Sequence, residues 1–139
     1  MSDAMDMHFQ QLSLGTLAYA AAGTIPLMYV PPQTGGVTLI QANLMALGNG
    51  LGTLNGVRLV TLTNPTGTAG TATGTPVLSG TLGTIAAASW TPAVTVNQPI
   101  PLTTAWVAAG TAGAWIGLQF VTGTILADAA LCLNYVMGH

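Results

Sequence analysis

The chain has 139 residues, 50% of them hydrophobic and only 3% charged, where an ordinary soluble domain carries roughly 25% charge. It has no Lys and no Glu; Arg58, Asp3, Asp6 and Asp128 are its only strongly ionised side chains, and the net charge is −2 with His8 and His139 neutral. Nucleic-acid binding and polybasic lipid attachment are thereby excluded, because both need clustered Lys and Arg. Mean hydropathy is +0.62, yet Thr and Gly break every apolar run before it reaches the ~18–20 residues of a membrane helix. Met1–Gln10 carries two Asp and no cation, so it does not read as a secretory signal. So few charges give little repulsion between copies. Most of the surface is therefore expected to face other protein in the working state.

Thr and Gly are abundant, while strong helix formers other than Ala and Leu are nearly missing, so the chain reads as short strands punctuated by turns. Met1–Met7 is a polar arm, His8–Leu14 begins a strand, and Thr16–Ala22 is small and apolar. Ile25–Val30 is a strand stopped by Pro31 and Pro32, and Gln33–Gly36 is a turn. In Val37–Leu47 the even positions Ile40, Ala42, Leu44 and Ala46 make one face, against Gln41 and Asn43, which favours a half-buried strand. A helix over Leu39–Leu47 closed by Gly48 is the rival. Gly48–Gly56 is a loop with an Asn55-Gly56 turn. Val57–Thr63 is a strand, and Asn64–Thr75 is a low-complexity loop. Pro76–Leu82 and Ile85–Trp90 are weaker strands, the second with an Ala-rich stretch that also suits a helical turn. Pro92, Pro99 and Pro101 confine Ala93–Asn97 to an edge or connecting position. Thr103–Ala109, Ala114–Thr122 and Ala129–Met137 are the closing strands, with turns at Gly110–Gly113 and Gly123.

The last two strands are apolar on both faces. Ala114, Ile116, Leu118 and Phe120 oppose Trp115 and Val121; Leu131, Leu133, Tyr135 and Met137 oppose Cys132, Asn134 and Val136. A free sandwich offers water one polar face, so a neighbouring protein is expected to cover the second. The strand spacing implies an all-β fold, an antiparallel β-sandwich that is jelly-roll-like rather than immunoglobulin-like. The expected layout is an extended N-terminal arm over residues 1–24 and a β-sandwich domain over residues 25–139.

Catalytic and cofactor chemistry finds no home. Ser2, Ser13, Ser79 and Ser89 sit in no G-x-S-x-G elbow. Asp3 and Asp6 lie near the chain end and Asp128 stands alone, so no carboxylate pair spans a sugar. Asp3, Asp6 and His8 could ligate a metal, but the cluster reads better as a solvated tail. No zinc pattern and no phosphate loop occur. Cys132 is the only cysteine, so an intrachain disulfide is excluded, and it behaves as a small hydrophobe. The Thr-rich loop has T-x-T spacings but no period of the kind that ice-binding solenoids repeat. No enzymatic activity, cofactor or metal is expected. Arg58, the one strong cation, lies in a strand and could pair with Asp128 or a neighbour's carboxylate, or snorkel outward. Arg58, Asp128, Trp90, Trp106, Trp115 and Tyr135 are the candidates for contacts between subunits.

The stretch IPLMYVPPQTGG (Ile25–Gly36) leading into VTLIQANL, and the end segment AWIGLQFVTGT with ALCLNYVMGH, resemble small virion proteins of tailed bacteriophages, most of all capsid decoration (cement) proteins. That resemblance implies a β-sandwich or jelly-roll subunit, often a trimer, bound over joints between copies of a major capsid protein. It also implies an N-terminal arm such as Met1–Thr24 reaching a neighbour, and no catalytic residues. The expected function is thus a structural subunit made in the host cytoplasm that stabilises the capsid surface through apolar contacts. Its partners would be copies of itself and a major capsid protein. The alternative is a recognition module of a head or tail fibre that binds glycan or a host surface, using rings such as Trp90, Trp106, Trp115, Tyr19, Tyr29 and Tyr135.

Overall fold

A computed structural model of the protein describes residues 7–19, 23–48, 57–63, 77–85, 95–120 and 124–138. They form the strands β1 (Met7–Tyr19), β2 (Gly23–Val30), β3 (Gly36–Gly48), β4 (Val57–Thr63), β5 (Val77–Ile85), β6 (Thr95–Pro99), β7 (Trp106–Ala108), β8 (Ala114–Phe120) and β9 (Thr124–Met137). A short 3-10 turn at Pro32–Thr34 separates β2 from β3. Every strand pairing is antiparallel and the fold is an all-β sandwich of two packed sheets.

The pairings are nested. β1 pairs with β9, β2 with β8, β3 with β6 and β7, and β4 with β5. The chain is thus one long hairpin closed at β4–β5, whose arms alternate between two layers. Cross-pairing of β9 with β3 and of β8 with β4 completes the sheets. The first, here sheet A, runs β1-β9-β3-β6 with β7 on a further stretch of β3; the second, sheet B, runs β2-β8-β4-β5.

Between the sheets lies one apolar cluster. Ile116, Leu118 and Phe120 of β8 and Leu59 of β4 join Leu44 of β3 and Leu131 and Leu133 of β9, all within 1% of full burial. Each such side chain contributes roughly 1.5–3 kcal/mol. Alternation in β8 sets this up, since Ala114, Ile116, Leu118 and Phe120 point inward at every second residue.

Residues 39–47 are strand, the reading favoured over the rival helix. Several expectations need correction. The face predicted for β3 holds only from Ala42 onward, because a bulge between Leu39 and Gln41 reverses the alternation. Val37 and Leu39 point inward before the bulge, Ala42, Leu44 and Ala46 after it, and Ile40 is left 51% exposed. The break expected between Leu82 and Ile85 does not exist, since β5 continues through Gly83, with two register shifts against β4 absorbing the irregularity. The strand expected over Thr103–Ala109 shrinks to Trp106–Ala108. Instead, the backbone N–H groups of Thr103 and Thr104 donate to the Leu82 carbonyl and Leu102 bridges Gly83, so residues 100–104 strap sheet A to the edge of sheet B. Of the arm expected over residues 1–24, residues 7–19 lie in β1, paired along β9. Residues 1–6, the loops expected at Gly48–Gly56 and Asn64–Thr75, and the strand expected beyond Ile85 lie wholly or largely outside the described residues.

Gly83 is where the strap presses on the sheet. A Cβ there would run into the Pro101 carbonyl oxygen and sit 2.9 Å from Ile100 Cγ2. Gly83→Ala is expected to destabilise the fold by about 1–3 kcal/mol in a urea unfolding titration. An unchanged midpoint would show that the strap does not bear on β5.

Candidate functional site

The outward face of sheet A is assembled by register. Residues directly opposite in antiparallel strands share a face, which gives four rows across the sheet. The rows are Met7–Val136–Thr38–Trp106, Phe9–Asn134–Gln41, Gln11–Cys132–Asn43–Pro99 and Ser13–Ala130–Met45–Asn97. None of these residues is charged. Phe9 is 72% exposed, and Met7, Met45 and Trp106 also stand out into solvent. Asn43 Nδ2 donates to Asn97 Oδ1 at 3.3 Å and Asn134 Nδ2 to Gln41 Oε1 at 3.5 Å. Each amide pair uses one donor and one acceptor, so donors and acceptors of both kinds remain on the face. Gln41, Asn43, Met45, Asn97, Cys132 and Asn134 line a shallow depression at its centre. The face thus presents exposed thioether and aromatic groups set among neutral amides.

The outward face of sheet B differs. Its rows are Tyr29–Trp115–Leu62–Leu78, Pro26–Gly117–Val60–Thr81 and Thr24–Gln119–Arg58–Thr84. Val60 and Leu62 are 0% and 1% exposed although they point away from the sandwich interior. In β4, for which no covering neighbour was expected, the outward apolar residues are already buried within the chain. Gly117 makes this possible: with no side chain it lets Leu62 Cδ1 come within 3.2 Å of its would-be Cβ position.

The proposed contact residues fall in different places. Arg58 is exposed in sheet B and donates to Gln119 Oε1 at 3.5 Å. Asp128 belongs to β9 of sheet A, so the two lie on opposite sheets; the Asp128 side chain and all of Trp90 lie outside the described residues. Trp106 lies over Gly36, where a Cβ would come within 2.7 Å of its ring. Trp115 is half-buried and tilts against Tyr29 with ring centroids 5.2 Å apart. Tyr135 packs against the core and stacks on His8 at 5.4 Å. Of the candidates whose side chains are described, only Trp106 lies in the four uncharged rows. Met7, Phe9, Gln41, Asn43, Met45, Asn97 and Asn134 were missed. The signal for β1 was present in the alternation of Met7, Phe9, Gln11 and Ser13 with Leu12 and Leu14.

A second depression, of about 420 Å³, opens between the sheets, where Thr61, Thr63 and Ser79 of sheet B meet Trp106 and the β7–β8 turn. Thr61 Oγ1 and Ser79 Oγ share a hydrogen bond of 3.0 Å, and Ser79 Oγ also lies 3.0 Å from the Thr61 carbonyl oxygen. The turn is pinned by Tyr29, whose hydroxyl donates to the Ala112 carbonyl at 3.1 Å and whose ring fills the space a side chain at Gly113 would need. Among the described residues no group of three or more His, Cys, Asp or Glu is placed to hold a metal, and no helix is long and apolar enough to cross a membrane.

No family model, curated protein or solved structure matches this chain.

Arg58 makes one long hydrogen bond from an exposed position. Arg58→Met is expected to leave stability within about 0.5 kcal/mol of the parent, read by thermal or urea unfolding. A larger loss would mean that the guanidinium carries structural weight in sheet B.

Proposed function

We propose that this protein is a structural subunit of a virion, a capsid decoration protein that docks on a major capsid protein through the four uncharged rows on the outward face of sheet A. The observation that carries the reading is that face itself: four paired rows, without one ionised side chain, presenting Met7, Phe9, Met45 and Trp106 among neutral amides. The nested order β1–β9, β2–β8, β3–β6/β7 and β4–β5 supports a jelly-roll reading of the sandwich, an architecture that viral capsid domains use. The mechanism is thermodynamic linkage. A subunit that binds only the assembled shell, across two capsid proteins, stabilises that shell in proportion to its occupancy. Apolar and amide contacts are weakly screened by salt, unlike ion pairs. No catalytic step, cofactor or metal forms part of this role.

A second reading, a fibre module that recognises neutral glycan, draws support from the depression where Trp106 meets the hydroxyls of Thr61, Thr63 and Ser79. Binding on a glycan array that is lost in Trp106→Ala would favour it.

Binding to shells is expected to survive molar salt and to weaken in mild urea, measured by co-sedimentation with particles lacking the subunit. Met45→Lys, which sets a cation in the middle of the face, is expected to weaken binding by about tenfold or more, since burying a Met side chain is worth roughly 1.5–3 kcal/mol. Release by salt alone, or full binding by Met45→Lys, would remove the proposal.

A further inference from the structure

The four ends of the two sheets are not equally protected. A sheet edge carries unpaired backbone groups that invite another strand, and proteins blunt such edges with proline, charge, bulges, shortness or a covering segment. β2 has Pro26 and a register shift beside it. β5 carries two register shifts and is met at Leu82 and Gly83 by the Thr103 and Thr104 N–H groups and the Leu102–Gly83 bridge. β6 is five residues long and ends in Pro99, and β7 is three residues long. Among the described residues β1 has none of these devices along Met7–Ser13, seven residues in unbroken register with β9 that contain no proline and no ionised side chain. Its irregularity begins only at Gly15, with φ of 64°. Among the described residues no strand pairs with the far edge of β1.

We propose that the free edge of β1 pairs with β1 of a second copy of this chain, antiparallel about a two-fold axis at Gln10, to give a dimer with one sheet continuous across both subunits. The occupant is a second copy because this uncharged segment meets its own equivalent in a two-fold register without opposing like charges. With Gln10 opposite its own equivalent, Phe9 of one copy meets Gln11 of the other, His8 meets Leu12, and Met7 meets Ser13. No like charges are opposed, and a net charge of −2 per chain gives little repulsion. A two-fold contact of this kind closes on itself rather than propagating. The paired segment is short, so the contact buries little surface and the dimer is weak. Its consequence is geometric: the uncharged faces of two sheets A become neighbours on one extended surface. The inference stands on the edge alone and does not depend on the shell reading, since Met45→Lys lies two strands away and leaves the β1 edge intact.

The test is the mass of the purified full chain by sedimentation equilibrium, for the parent and for the double variant Phe9→Lys/Gln11→Lys. The expected result is a monomer–dimer equilibrium in the parent and a monomer, with the parent's circular dichroism, in the variant. Should the lysines unfold the protein, Gln10→Cys in a Cys132→Ser background decides. Directly opposed residues of antiparallel strands have Cα atoms about 4.5–5.5 Å apart, within disulfide reach, so mild oxidation is expected to yield a covalent dimer, whereas Thr84→Cys in the same background stays monomeric. A parent that remains monomeric at high micromolar concentration, a folded double variant that still dimerises, or equal cross-linking at positions 10 and 84 overturns the proposal.

Discussion

Sheet-to-sheet burial is the interaction on which everything else in this protein rests. With 3% charged residues, no network of ion pairs can hold or specify the fold. The work falls on β8 and β4 of one sheet pressed against β3 and β9 of the other, through Leu59, Ile116, Leu118, Phe120, Leu44, Leu131 and Leu133. These strands are central in their sheets, and each carries an inward face of large aliphatic or aromatic side chains. The peripheral strands contribute less to this core: β1 and β5 carry bulges, β6 and β7 are short, and residues 100–104 form the strap.

The same shortage of charge shapes the exterior, and the two outward faces solve it differently. Sheet B buries Val60 and Leu62 within the chain, exposes Thr24, Thr84 and Arg58 in one row, and keeps its aromatic pair Tyr29–Trp115 in another. Sheet A leaves its apolar groups exposed and separates them with Asn and Gln. An amide hydrogen-bonds to water in the free subunit and to a partner's backbone or side chains in a complex, without the desolvation cost of an ion. Such a face remains hydrated when free and loses little when covered. Under the proposed role, that property, more than apolar area alone, would suit it to assembly.

Much of this was legible in the sequence. β4 was predicted with its observed limits, because Val57–Thr63 is a compact β-branched run between Asn/Gly-rich segments. β8 was predicted from its observed first residue, with the correct inward set, because its alternation is unbroken; Val121 and Thr122 of that prediction lie outside the described residues. What failed was what period-two patterns cannot encode. The bulge at Ile40 reverses the faces of β3 through a backbone irregularity that leaves no residue signature, and its true inward set changes parity halfway. Gly83 looked like a turn because glycine usually punctuates strands; here it lies inside β5 to make room for the Pro101 carbonyl, a contact with a segment some eighteen positions away. The candidate site was less legible than the fold. Aromatic rings drew the choice toward Trp115 and Tyr135, which are half-buried in local packing, whereas the exposed face is built mainly from Met and amide residues contributed by β1, β3, β6 and β9. Their adjacency follows from strand register, which sequence alone does not fix.

Residue-level footprinting with a photo-activated carbene, on the free protein and on the assembled particle, addresses the central claim most directly. The account predicts that Met7, Phe9 and Met45 are labelled in the free protein and protected in the particle, while Leu78 and Thr84 on sheet B change less. Equal labelling of Phe9 and Met45 in both states, with protection confined to sheet B, would contradict it.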